Sequence, residues 1–203
     1  MNHKTVLRLM NKYGLLLEIR RQRPLYLRQQ QMHRYENILN RNFKAVKPNQ
    51  KWVADISYIF TDESTLYLSD VKDLHDNFIV AFDMATKQDN ALVLRTLKKA
   101  KKEVANGLVL HSDQGFQYTS RGYFNLTKQY GILPSMSKPG TPYDNACAEN
   151  FFGILKTESI YRHHPKTIAE AKKLITDYIH FYNYERIQYK NMLTPYKKRC
   201  QHE

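Results

Sequence analysis

The chain has 203 residues, 42% of them hydrophobic and 12% aromatic, which is enough to bury a full globular core. No apolar run approaches the ~18 residues of a membrane span, and the N-terminal stretch lacks the apolar segment of a signal peptide. The 2 cysteines, Cys147 and Cys200, are too few for a disulfide framework or a thiolate zinc site, so they read as inert thiols. Secreted and membrane classes are excluded, and a cytoplasmic protein is expected. In chain order, Val6, Leu9, Met10 and Tyr13 recur at helical spacing, with Gly14 as a stop. Residues 19–50 are rich in Arg, Gln and Asn and weakly periodic, which reads as a basic linker closed by Pro48-Asn49-Gln50.

From Lys51 the pattern changes. Lys51–Phe60 alternates as a strand, with Trp52, Ala54, Ile56, Tyr58 and Phe60 on one face and Val53, Asp55, Ser57 and Ile59 on the other. Further strands are expected at Thr65–Val71 and Phe78–Met84, a helix at Asp89–Ala105, and a buried strand at Gly107–Ser112. Ser120–Tyr130 reads as a helix ending at Gly131, and Ile132–Met136 as a fifth strand. Ser137–Tyr143 reads as a mobile loop and Asp144–Ile160 as helical. A final helix over Thr167–Tyr184 opens on a Thr167-x-x-Glu170 capping box. Strands interleaved with helices in this order predict a mixed α/β layer fold.

Charge is unevenly placed. Residues 1–51 hold twelve basic and two acidic side chains, whereas the remaining 152 hold 20 and 17. A basic arm on a nearly balanced body points to a polyanionic partner, because neutralising phosphates releases condensed counterions.

Three acids occupy positions of interest. Asp55 lies mid-strand, Asp113 follows a buried strand immediately, and Glu149 sits early in a helix. At ~100° per residue, Asn145, Glu149, Gly153 and Lys156 share one helix face, opposite Cys147, Phe151, Ile154 and Leu155. Taken singly, each acid has an ordinary explanation, since Asp forms turns and Glu complements a helix N-terminus. Taken together, with no His or Cys cluster beside them, they form an oxygen-only donor set suited to Mg²⁺ or Mn²⁺. His111 reads as a polar strand residue. The late aromatics Tyr178, Phe181, Tyr182 and Tyr184 read first as core, with base stacking as the second reading.

The segments Trp52-Val53-Ala54-Asp55-Ile56-Ser57, His111-Ser112-Asp113-Gln114-Gly115-Phe116-Gln117-Tyr118 and Asp144-Asn145-Ala146-Cys147-Ala148-Glu149-Asn150-Phe151-Phe152 resemble the integrase catalytic core. They look most like the second-frame transposase of bacterial two-frame insertion sequences, and the 35 residues between Asp113 and Glu149 match that family's interval. The tail Tyr182-Asn183-Tyr184-Glu185-Arg186 followed by Leu193-Thr194-Pro195-Tyr196 matches as well. The resemblance implies a ribonuclease-H-like fold, a mixed five-stranded sheet flanked by helices, over residues 51–203. It implies that Asp55, Asp113 and Glu149 are the catalytic and metal-binding residues, holding two Mg²⁺ or Mn²⁺ ions for DNA cleavage and strand transfer at the element's ends.

Residues 1–18 then read as the remnant of a helix-turn-helix module, in a chain that is N-terminally truncated relative to the family. Lys138, Tyr143, Asn145, Lys156 and Gln114 are the candidate DNA contacts, and Arg186 reads as structural support. The implied partners are double-stranded DNA, at element ends and target, further copies of the chain assembled on DNA, and an upstream-frame helix-turn-helix protein. No membrane partner is expected. Two other readings stay open on the residues alone: a nonspecific metal nuclease of the same fold, and a catalytically idle fragment that binds DNA or full-length transposase and inhibits it.

Overall fold

A computed structural model describes residues 2–15, 33–138 and 141–202. The N-terminal helix α1 (His3–Lys12) is capped by Asn2, whose side chain accepts from the Lys4 amide, and none of its residues is buried. Gly14 takes a φ of +63°, a left-handed conformation that ends the helix without a Cβ penalty. The remaining parts of the remnant-module and linker readings, residues 16–32, lie outside the described residues.

The body is built on one five-stranded sheet. Its strands are β1 (Lys51–Phe60), β2 (Thr65–Asp73), β3 (Ile79–Ala85), β4 (Val109–Ser112) and β5 (Leu133–Met136), in the order β3-β2-β1-β4-β5. The first three pair antiparallel, and β4 and β5 run parallel to β1. The alternation in β1 buries both faces, because the strand is central. Trp52 and Ala54 pack with Val93, Leu97, Tyr123 and Leu126, which come from α2 (Asn90–Ala100) and α3 (Arg121–Tyr130). On the opposite face Ile59 packs with Leu66, Leu68 and the second helical layer. That layer consists of α4 (Ala146–Leu155) and α5 (Ile168–Tyr184). Each of Phe151 and Leu155, fully buried on α4, contributes about 1.5–3 kcal/mol by leaving water.

Local chemistry sets the helix ends. Asp89 caps α2 through the Leu92 amide, Ser120 caps α3 through the Tyr123 amide, and Thr167 and Glu170 close the expected capping box on α5. The helix expected over Asp89–Ala105 stops at Ala100 and tightens into a 3₁₀ turn, Lys101–Glu103, before the chain turns extended at Val104. The strand expected from Gly107 pairs only from Val109. The helix expected from Asp144 begins at Ala146, because Asp144 is held in the preceding turn by Arg41 and Thr141. Beyond Leu155 it continues through a π-helical turn, Lys156–Ile160, and a last turn, Tyr161–His163. A short helix, α6 (Pro195–Arg199), capped by Thr194, follows α5.

Residues 33–50, read from the sequence as linker, lie packed along this body. His33 stacks on Phe124 with ring centroids 4.3 Å apart, and Leu39 is buried beside Val53, Leu74 and Ala148. Of the loop read over Ser137–Tyr143, Ser137 is buried and its hydroxyl donates to the Ser112 carbonyl, whereas Pro139 and Gly140 lie outside the described residues.

Candidate active site

The strand β1 is paired with β4 only over Lys51–Val53, then runs on beside β2 to Phe60. Asp55 therefore stands where β4 has ended and β1 continues, at the mouth of a fork in the sheet. The parallel register sets Val53 against His111. Two residues further along each chain, on the same face, come Asp55 and Asp113.

Asp55 is tied down on both oxygens. Its Oδ1 accepts from the Ile56 amide at 2.7 Å, and its Oδ2 from Asn145 Nδ2 at 3.0 Å. Asn145 directly precedes α4, so this bond connects the helix that carries Glu149 to the strand that carries Asp55. Burial pushes the Asp55 carboxyl up to about 7; the charge of Asp113, and more weakly that of Glu149, pushes the same way, against the two hydrogen bonds. The structure thus brings Asp113 and Glu149 each within electrostatic reach of Asp55. Among the described residues none of them belongs to an ion pair.

Asp113 reaches solvent, yet neighbouring protein atoms displace enough water to raise its pKa from the ordinary value, against the Gly115 hydrogen bond. Its Oδ1 accepts from the Gly115 amide at 2.8 Å. A Cβ on Gly115 would stand 2.9 Å from that oxygen and 3.0 Å from Gln117 Oε1, so glycine permits the close approach. Glu149 is exposed in the first turn of α4. As the side chains lie, no three His, Cys, Asp or Glu among the described residues are close enough to hold an ion.

The remaining sequence candidates fall around this fork. Gln114 Nε2 donates to the Ser137 carbonyl at 3.1 Å, and the Lys138 amide donates to Asp144 at 3.3 Å. Tyr143 is 73% exposed beside them. Asn145 is buried and bound to Asp55, so its nearest partner is the acid itself. The Lys156 ammonium lies 5.4 Å from the Tyr58 ring centroid; partial burial lowers its pKa, and the charge of Asp55 acts the other way. His111 is fully buried, with Nδ1 2.9 Å from Ser135 Oγ, and burial depresses its pKa. Arg186 makes two hydrogen bonds to Glu158, 2.9 and 2.6 Å long, a supporting contact. Tyr178 and Tyr182 are buried, whereas Phe181 and Tyr184 are each 41% exposed.

Sequence reasoning missed what lies behind Asp55. Asp70 on β2 pairs in register with Asp55, is 1% exposed, and neither of its oxygens has a hydrogen-bond partner. Burial holds its proton on, the charge of Lys72 opposes, and Asp55 adds to the rise. Lys72 is itself buried and donates to the Cys147 carbonyl in the first turn of α4. The Tyr118 hydroxyl and Asn145 Oδ1 are likewise buried without partners, and burial and the charges of Asp55 and Asp113 raise the Tyr118 pKa. The local signal was that Asp70 and Lys72 follow the apolar Leu66 and Leu68 on one face of β2.

A mixed five-stranded sheet in this order, flanked by helices, is the ribonuclease-H-like fold, and the comparisons agree. The integrase core domain family matches residues 45–142, and a second integrase core family matches residues 149–202. A transposase-like protein of Haemophilus influenzae is 40% identical over 202 residues, 98% of this chain and 94% of that protein. The transposase for insertion sequence element IS904 of Lactococcus lactis is 42% identical over 154 residues, 74% of this chain and 61% of the relative. The magnesium-bound catalytic core of HTLV-2 integrase, in a trimeric form, superposes with a TM-score of 0.63 at 14% identity, over 78% of this chain and 99% of that core. The chain belongs to the integrase-core transposases of insertion sequences. No helix among the described residues is long and apolar enough to cross a membrane.

Proposed function

We propose that the chain is the catalytic core of a DNA transposase that cuts a phosphodiester at an element's end and joins the exposed strand to target DNA. Asp55, Asp113 and Glu149 are the residues that would hold Mg²⁺ or Mn²⁺ ions, two being the expected number. The observation that carries this reading is the placement of Asp55 and Asp113 at the fork where β1 outruns β4, with Asn145 bonding Asp55 to the helix of Glu149 and, among the described residues, no ion pair at any of the three acids. The donor set fits such ions: three carboxylates, and no sulfur or imidazole. Bound divalent ions would neutralise charge on the attacking and leaving oxygens of an in-line displacement.

The residues divide the remaining work. In the first step a water oxygen attacks the phosphorus and the bond to the leaving strand breaks, giving a 3′-hydroxyl and a 5′-phosphate. In the second step that hydroxyl attacks a target phosphodiester, which loses its own 3′-oxygen as leaving group. No covalent enzyme intermediate is needed, so positioning does most of the work. Asn145 and the Ile56 amide hold Asp55 in one orientation. Lys156, on the α4 side of the fork, offers an ammonium to a phosphate as a point charge. Gln114, Lys138 and Tyr143 flank the fork and are placed to meet the strand.

The wider readings belong to the same proposal. Residues 1–18 act as part of a helix-turn-helix module, residues 51–203 as the catalytic core, and the basic charge of residues 1–51 supplies phosphate contacts that carry no sequence information. Double-stranded DNA is the partner, several copies of the chain assemble on it, an upstream-frame helix-turn-helix protein joins them, and the site of action is the bacterial cytoplasm.

The test is cleavage and strand joining of a labelled element-end duplex by the whole chain in Mg²⁺ and in EDTA. The wild type is expected to act only with the metal. Asp113→Asn is expected to lose activity by on the order of 10³-fold, because a metal position is lost, while DNA affinity in a salt titration stays within about twofold. Full cleavage by Asp113→Asn, at matched folding, would falsify the assignment.

A further inference from the structure

Where β1 outruns β4, a groove of about 250 Å³ opens beyond Asp55, lined by Tyr58, Phe60, Lys156, Tyr161 and His164 among others. Three of its aromatic side chains are open to solvent: Tyr58 is 51% exposed, Phe60 71% and Tyr161 60%. The Tyr58 and Phe60 rings lie 5.7 Å apart and tilted by 54°, so both present area outward. Lys156 links groove and fork, since its ammonium stands over the Tyr58 ring and interacts with the charge of Asp55. No acidic side chain lines the groove.

We propose that this groove holds unpaired bases of the DNA strand at the acidic fork, so that the chain prefers an end whose strands are already separated. Exposed rings satisfy no packing need of the fold, yet they suit the flat face of a base, and every base has one. In an intact duplex those faces are covered by neighbouring bases, which leaves only unstacked nucleotides able to use the rings. Lys156, and His164 when protonated, supply positive charge for the phosphates between such bases, and the absence of acid removes the repulsion that would otherwise oppose them. Lys156 lines the groove and also feels the charge of Asp55, so an unpaired end held there by this ammonium would have a phosphodiester within reach of the fork. The inference rests on the DNA-processing reading above.

The experiment compares binding of the whole chain, in EDTA so that no chemistry intervenes, to a blunt duplex and to the same duplex with a short single-stranded extension carrying 2-aminopurine. The extended duplex is expected to bind about tenfold more tightly, in line with the contribution of a stacked base, with quenched 2-aminopurine fluorescence. In Phe60→Ala and Tyr161→Ala, both at exposed positions, the affinity ratio is expected to fall to about one and the quench to be lost. Phe60→Tyr keeps both, as does Tyr189→Ala, at a 96% exposed ring that does not line the groove.

Equal affinity of the wild type for the two duplexes overturns the proposal, as does a preference that survives in the alanine variants. A change in the sedimentation of the alanine variants without DNA also overturns it, marking the groove as a contact between copies of the chain. Failure to bind either duplex removes the DNA reading itself, whereas equal binding of both removes only the groove.

Discussion

Two acid clusters on the same sheet, one fully buried and one open to solvent, differ in how their charge is compensated. At the start of β1, Asp73 and Asp76 are fully buried, and Arg199 from α6 donates to both, at 3.4 and 3.2 Å. Asp73 also accepts from the Asn49 and His75 amides and from Trp52 Nε1. The Arg199 guanidinium lies 4.8 Å from the Phe78 ring centroid, which closes the cluster from outside. Three residues further along β1, the Asp55 cluster has hydrogen-bond donors and, among the described residues, no ion pair. The first cluster receives a guanidinium from the fold, which ties the C-terminal helix to the sheet. The second retains repulsion that a cation from outside would relieve, the condition expected of a metal site and a poor arrangement for stability alone.

Neutralising each cluster by mutation should change stability in opposite directions. Arg199→Met leaves two buried carboxylates without their cation and is expected to cost about 3–5 kcal/mol, measured by urea unfolding. Asp55→Asn removes a repelled charge and is expected to raise the melting temperature at pH 8, although it abolishes metal-dependent cleavage. A loss of stability in Asp55→Asn would place the two clusters in the same class and undo the contrast.

The second test is linkage to pH and metal. Asp55 titrates at about 7 in the folded chain and near ~3.9 when unfolded. Between those values the folded state binds more protons, so without metal Asp55 makes stability fall as pH rises from about 4 to 7. Asp76, raised by burial to about 6, adds a fall in the lower part of that window. Magnesium competes with the proton only at the fork. Its stabilisation, about 1–3 kcal/mol at 10–100 times its dissociation constant, should therefore be larger at pH 8 than at pH 5.5. Thermal denaturation with and without Mg²⁺ reads this directly, and a metal shift independent of pH would separate the ions from Asp55.

The smallest expected change in stability comes from Gly115→Ala. The added Cβ would meet Asp113 Oδ1 at 2.9 Å and Gln117 Oε1 at 3.0 Å, both on movable side chains, so unfolding should change by less than about 1 kcal/mol. The displaced carboxylate should nonetheless lower cleavage by ten- to about a hundredfold, because small misplacements at a reacting centre are costly. Wild-type turnover in this variant would mean that the position of Asp113 is not limiting.

Much of the sheet was legible in the sequence because strand and helix patterns are local, whereas Asp55, Asp113 and Glu149 were singled out as a catalytic set only through the family resemblance. Alternation over Lys51–Phe60 fixes which side of β1 Asp55 takes, and helical spacing puts Glu149 opposite the buried Phe151 and Leu155. The Thr167–Glu170 capping box marks the start of α5 from four residues. Tertiary structure decided the rest. Leu39 and Asn37 read as polar-linker residues until Leu39 is seen buried against Val53 and Asn37 bonded to Asp144, 107 residues away. Arg199 could not be assigned to Asp73 and Asp76, nor Asp70 placed behind Asp55, because those neighbours are set by register and by helix docking. A strand's own pattern specifies which face a side chain takes, since that depends on a period of two; it is silent on what waits across that face, since that partner arrives from a distant part of the chain.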